Sequence, residues 1–204
     1  MKANRIKNIV RKTSLLLNFS MGFLLAACGS GTNSASSSSS LEATSQMSGM
    51  AVIYFSCTNA TKGIADKIAE KLSCPEIRII PKEAYASDDL NYNDNSCRAN
   101  REQNDPAARP AIENAIDFSA YQTIFLGYPI WWGTLPKIIY TLCDNYDFSN
   151  RTLVPFCTSG SSGIESSVTA LKTLEQAAGV LPGKRFASSS TQIEVDSWIT
   201  SLSL

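Results

Sequence analysis

Histidine is absent from all 204 residues. That removes the commonest metal ligand and the side chain whose proton moves most readily near neutral pH. A zinc site of the cysteine–histidine kind is therefore disfavoured, and no two of the six cysteines have CxxC spacing. The turn after the first apolar strand candidate lacks the lysine placement and spacing of a nucleotide P-loop, so ATP is not an expected ligand. Basic charge is scarce beyond the N-terminus. The first 28 residues hold five of the 18 basic side chains and none of the 18 acidic ones, which leaves the rest net negative by five. With that mild acidity and no basic stripe, nucleic acid is not an expected partner. Long apolar runs are lacking too, since Ser14 to Ala27 is too short for a comfortable membrane span.

The N-terminus has an order of its own. Lys2, Arg5, Lys7, Arg11 and Lys12 precede the apolar run, and "LAAC", Leu25 to Cys28, closes it. Ala26 and Ala27 are small enough for a peptidase cleft. The arrangement resembles a bacterial lipoprotein signal peptide with its lipobox. That resemblance implies removal of residues 1–27, a lipid on Cys28, and export to the outer side of a bacterial membrane, with the lipid as the only membrane attachment. An uncleaved anchor helix is the alternative. Residues 28–49 are too rich in serine and glycine to bury a core and read as a flexible tether. Residues 50–204 have the length and apolar content of one domain. Five cysteines remain there, an odd number that leaves disulfides open, with Cys143 and Cys157 read as small buried hydrophobes.

Strand and helix patterns alternate along this domain. "MAVIYF", Met50 to Phe55, suits a strand buried on both faces. Lys62 to Leu72 places Ile64, Ile68 and Leu72 on one helical stripe. Ile77 to Ile80 predicts a second strand, and the polar stretch Lys82 to Arg109 carries a short helix around Ser96 to Gln103. Strands follow at Tyr121 to Leu126, Thr152 to Cys157 and Phe186 to Ser190. Helices are expected at Pro136 to Asn145, Ile164 to Ala178 and Gln192 to Leu202. The alternation calls for an α/β fold, a three-layer α/β/α sandwich around a parallel sheet. Such sheets bind ligands at the carboxyl ends of their strands, beside the switch in strand order. The loops after the first, third and fourth strands are thus the candidate site.

In the first of these, "FSCTNATKG" (Phe55 to Gly63), Ser56, Thr58 and Thr61 supply hydroxyls and backbone amides open towards a helix start. That suits a phosphate, and the same residue types also serve as helix caps. The second loop, "GYPIWWGTLP" (Gly127 to Pro136), sets Trp131 and Trp132 between Pro129 and Gly133. The two rings either form a stacking wall or leave one of them as a core plug. The third, "CTSGSSGIESS" (Cys157 to Ser167), allows close backbone approach to a ligand, or is an ordinary connection. A phosphate cradle, an aromatic wall and a small-residue loop together fit a phosphorylated flat ring, the shape of flavin mononucleotide (FMN).

"LGYPIWWGTLP" (Leu126 to Pro136) and "PFCTSGSSG" (Pro155 to Gly163) are specific motifs, joined by "REQND" (Arg101 to Asp105) and "ARP" (Ala108 to Pro110). Through them, the chain from Met50 to about Leu202 resembles a flavodoxin-like domain of the short-chain bacterial group. The resemblance implies a five-stranded sheet of order 2-1-3-4-5 and non-covalent FMN. Carried over by position, Ser56, Thr58, Asn59, Ala60 and Thr61 would hold the phosphate. Pro129, Ile130, Trp131, Trp132 and Gly133 would line one side of the ring, with Trp132 favoured as the stacking partner. Thr158, Ser159, Gly160 and Gly163 would approach the other side or its polar edge. The first loop departs from the group's "FSxTGxT" by placing Asn59 where glycine is usual; asparagine is the next most tolerant of positive φ. No catalytic residue is assigned. The implied function is electron transfer to a protein partner. The alternatives are an FMN-dependent NAD(P)H:quinone oxidoreductase, whose open pocket the Lys82 to Arg109 stretch would build or block, and a flavin-free interaction module.

Overall fold

The computed structural model describes residues 49–204. The expected signal peptide, Cys28 and all of the tether but Gly49 lie outside the described residues. Strands β1 (Gly49–Tyr54), β2 (Glu76–Arg78), β3 (Tyr121–Pro129) and β4 (Thr152–Thr158) are parallel neighbours in the order β2-β1-β3-β4. Two short strands, β5 (Gly179–Val180) and β6 (Lys184–Phe186), both run parallel to β4 and share the fifth position. The order is the expected 2-1-3-4-5. The helices are α1 (Ala60–Leu72), α2 (Arg98–Asn104), α3 (Lys137–Asn145), α4 (Glu165–Leu174) and α5 (Gln192–Ser201), with a single 3₁₀ turn at Asp88–Leu90.

The strands read as unbroken apolar runs because both sheet faces are covered. Val52, Tyr54, Phe125, Val154 and Phe156 form one core with Ile64, Ala65 and Ile68 of α1 and Val195, Trp198 and Ile199 of α5. Their alternating neighbours Ile53, Phe55, Ile124, Leu126, Tyr128 and Leu153 share the other with Ile138, Ile139 and Leu142 of α3 and Val168 and Leu171 of α4. Each such Val, Leu, Ile or Phe side chain, fully buried, contributes about 1.5–3 kcal/mol against exposure to water. Since β1 lies between β2 and β3, the chain reverses its direction of travel across the sheet there. The ends of β1 and β3 therefore flank the switch point.

The fifth strand differs from the sequence expectation, which overlaps it only at Phe186. Between the pairs Leu153↔Val180 and Phe156↔Lys184, three residues (181–183) face two (154–155), a bulge that splits the strand. Pro182 has no N–H for a ladder, and Gly183 sits at φ +74° where a Cβ would lie 2.3 Å from the Pro155 carbonyl oxygen. Helix α4 likewise stops at Leu174, four residues before the expected Ala178.

Candidate functional site

At the end of β1 the chain turns through Ser56–Asn59 into α1. Asn59 adopts φ 64°, ψ 2°, a left-handed conformation that asparagine tolerates. Its side chain makes no capping hydrogen bond, and the first turn holds no acidic residue. The first intrahelical donor is the Gly63 amide, 2.9 Å from the Asn59 carbonyl oxygen. The amides of Ala60, Thr61 and Lys62 precede it and by helix geometry meet no carbonyl. They leave a concentrated positive end, the usual seat of an anion. The Arg78 guanidinium of β2 donates to the Ser56 carbonyl at 2.9 Å and fixes the loop from behind.

After β3 the paired tryptophans form a tight turn. The Trp131 amide donates to the Thr134 carbonyl, and the Thr134 amide donates back to that of Trp131, both at 3.0 Å. The two central residues, Trp132 (φ 45°) and Gly133 (φ 78°), are both at positive φ, the pattern of a type I′ turn. The rings accordingly part. Trp131 is 3% exposed and meets Phe55 and Tyr85 edge to face, with centroids 5.5 and 5.1 Å away. Trp132 stands at the tip, 38% exposed. The Gln103 side-chain amide of α2 donates to the Trp131 and Leu135 carbonyls at 3.0 and 3.1 Å, clamping the turn. Beside it, Glu102 accepts from the Tyr85 hydroxyl and from the Arg98 guanidinium.

The third loop is tied to the first by one buried hydroxyl pair, Thr61 Oγ1 and Thr158 Oγ1, 2.8 Å apart. Arg185 of β6 secures its far side, donating to Ser159 Oγ at 3.1 Å, to the Ser159 carbonyl at 2.8 Å and to the Gly160 carbonyl. Between the loops lies a cavity of about 400 Å³, within the size range of cofactor sites, roughly 300–1,000 Å³. Of the sequence-nominated residues, Ser56, Thr58, Ala60, Thr61, Pro129, Ile130, Trp131, Thr158, Ser159 and Gly160 line it. Asn59, Trp132, Gly133 and Gly163 stand outside the lining: the first three shape turns, and Gly163 lies against the Glu165 carboxylate.

Five lining residues fall outside the sequence nomination. Cys57 lies within the first motif, but no thiol role marked it. Leu90 and Tyr92 come from the long polar stretch, and Ala187 and Ser188 follow β6. Those last two were expected inside the fifth strand; because β6 ends at Phe186, they form a fourth loop of the site. Burial pushes the Cys57 thiol up to about 12, against the opposing pull of Arg78 and Arg98. The lining carries no carboxylate, lysine or arginine side chain. An anion placed here meets amides and hydroxyls with no carboxylate to repel it, and a flat ring would rest on Pro129, Ile130 and Trp131. A Cβ built on Gly160 would meet no protein atom, so the space beside it is open to a ligand. The donor set and shape fit a phosphorylated ring.

The flavodoxin family model matches residues 49–202. Among solved structures, a candidate flavoprotein from Bacteroides eggerthii DSM 20697 is 32% identical with a TM-score of 0.72, over 76% of this chain and 98% of its own. One from Bacteroides uniformis ATCC 8492 is 33% identical with a TM-score of 0.71, over 74% and 97%. A flavoprotein from Lactobacillus acidophilus NCFM, solved in complex with FMN, shares the fold at 23% identity and a TM-score of 0.53, over 74% and 98%. No curated protein matches the chain. With a family match over nearly the whole described domain and relatives above 30% identity, the chain belongs to the flavodoxin family.

Proposed function

We propose that this chain is an FMN-binding redox protein, exported and lipid-anchored at Cys28, that passes electrons to a protein partner. The observation that carries this reading is the uncharged cavity at the β1/β3 switch point, with the free first-turn amides of α1 opening beside it. Bound FMN would supply the electron transfer. The chain's own part is to hold and tune it. Ser56, Thr58 and the amides of Ala60 and Thr61 would hold the phosphate, and Asn59 turns the backbone so that these donors converge. Pro129, Ile130 and Trp131 would exclude water from one side of the ring, with Thr158, Ser159 and Gly160 at its polar edge. That the Lactobacillus protein of the same fold is solved with FMN supports the cofactor.

Purified full-length chain incubated with FMN should give a yellow complex of one flavin per chain. Protein that stays colourless refutes the flavin reading. Rapid bleaching by NADH or NADPH with turnover on a quinone would instead establish the enzyme. Thr58→Asp, which sets a carboxylate beside the cradle, should weaken FMN about tenfold or more through like-charge repulsion while sparing riboflavin, which has no phosphate. For the anchor, cells fed a labelled fatty acid should label the protein and leave the Cys28→Ala variant unlabelled; equal labelling of the two, or none of either, would refute the lipid tether.

A further inference from the structure

The three motif loops supply one wall for a flat ring, at Pro129, Ile130 and Trp131, and no aromatic cover for its second face. Of the residues lining the cavity only Trp131 and Tyr92 are aromatic, and the third loop (158–163) has no aromatic residue. Trp131 is buried and held by Phe55 and Tyr85, so it belongs to that first wall and is not free to turn onto the second face. Tyr92 is 59% exposed.

We propose that Tyr92, carried on the β2–α2 connection, packs against the isoalloxazine ring of the flavin, and that Trp132 is a positioning residue holding Tyr92 in place; this rests on the flavin reading above. The two rings lie 4.7 Å apart at centroids with a 37° tilt, Tyr92 lining the cavity and Trp132 outside it. The backbone around Tyr92 is held locally. The Asn93 amide donates to the Asn91 side chain at 3.0 Å, and the Asp94 amide to the Asn91 carbonyl at 3.0 Å. Leu90, one step earlier, places a second apolar contact on the cavity. Trp132 occupies a turn position at φ 45°, where a bulky side chain is strained and asparagine or glycine would be at ease. Its ring makes its close aromatic contact with Tyr92. A strained residue whose ring packs against a cavity-lining side chain points to a function beyond turn formation.

The test titrates full-length protein with FMN and with riboflavin, following quenching of flavin fluorescence. Tyr92→Ala should weaken both flavins by the same factor, about tenfold or more, as loss of one aromatic stacking partner does, and bound flavin should brighten. Tyr92→Phe should restore wild-type affinity. Trp132→Ala should cause a smaller loss that largely vanishes in the Tyr92→Ala background, because the second change removes what the first one positions. Circular dichroism should show every variant folded, since both side chains lie near the surface. Wild-type protein that binds FMN while Tyr92→Ala binds and quenches it equally well overturns the assignment but leaves the proposed function standing. A loss confined to FMN also overturns it, as that would locate the effect at the phosphate. Fully additive losses overturn the positioning role of Trp132. Wild-type protein that binds no flavin overturns both the proposed function and this assignment.

Discussion

Trp131 and Trp132 are adjacent and chemically identical, yet the turn gives them opposite surroundings. Trp131 closes the turn and points into the core; Trp132 sits at the tip in a left-handed conformation. In urea unfolding, Trp131→Ala should cost about 3–5 kcal/mol, the usual loss for a large buried aromatic. Trp132→Ala should cost less than about 1 kcal/mol, and Trp132→Gly should be neutral or stabilising by up to about 1 kcal/mol as positive φ becomes free of strain. Equal losses from the two alanine variants would contradict the division of roles. Gly127 shows a different constraint. It lies in β3, and a Cβ there would stand 2.2 Å from Phe156 Cζ, against a fully buried ring. Gly127→Ala should destabilise by about 1–3 kcal/mol through overpacking. The paired tryptophans were visible in the sequence as a feature of the site, but which ring turned inward was not. That depends on which residue takes the central position of a two-residue turn, and the pair itself carries no such signal.

The site loops are held by elements outside their own motifs. Arg78 of β2, Gln103 of α2 and Arg185 of β6 each donate to loop carbonyls, one polar side chain for each of the three motif loops. Gln103→Ala should therefore loosen the tryptophan turn. Leaving the Trp131 and Leu135 carbonyls without those donors should cost about 1–3 kcal/mol, and FMN affinity should fall although Gln103 does not line the cavity. A variant with unchanged melting and unchanged affinity would refute the clamp. "REQND" stood out in the sequence only as a resemblance, because hydrogen bonds from one helix to another loop leave no periodic trace. The core strands and α1 were legible for the opposite reason: burial on both faces, and an apolar stripe of period 3.6, write themselves into local sequence. The fifth strand was not legible, because Pro182 and Gly183 interrupt it and shorten its pieces below any readable pattern. Its misplacement hid Ala187 and Ser188 from the candidate site. Tyr92 escaped as well, lying in a polar stretch whose fold is set by local turns rather than by apolar pattern.

At the scale of the whole molecule, the missing histidine and the buried acids combine into one titration behaviour. With no imidazole to titrate, stability should be nearly level through neutral pH. The alkaline side differs. Burial raises Cys57, Cys74, Cys143 and Cys157 above the ordinary thiol value of 9.0, to about 12 for Cys57 and Cys157. Tyr54, Tyr85 and Tyr128 are raised above 10.0, again chiefly by burial. The unfolded chain would release these protons at ordinary values while the folded chain keeps them. Above about pH 9 the folded state thus binds more protons, and the linkage relation makes stability fall as pH rises. The favourable contribution is whole below the unfolded thiol value and is lost progressively towards the folded one, with the phenols steepening the decline above 10. Melting temperature measured between pH 6 and 11 should show a plateau, then a fall beginning near pH 9. Cys157→Ala, which deletes one raised thiol from a fully buried position, should make the fall shallower even if it lowers the plateau. A melting temperature that holds level to pH 11, or a fall unchanged in slope by that substitution, would show that these groups ionise in the folded state as freely as in the unfolded one.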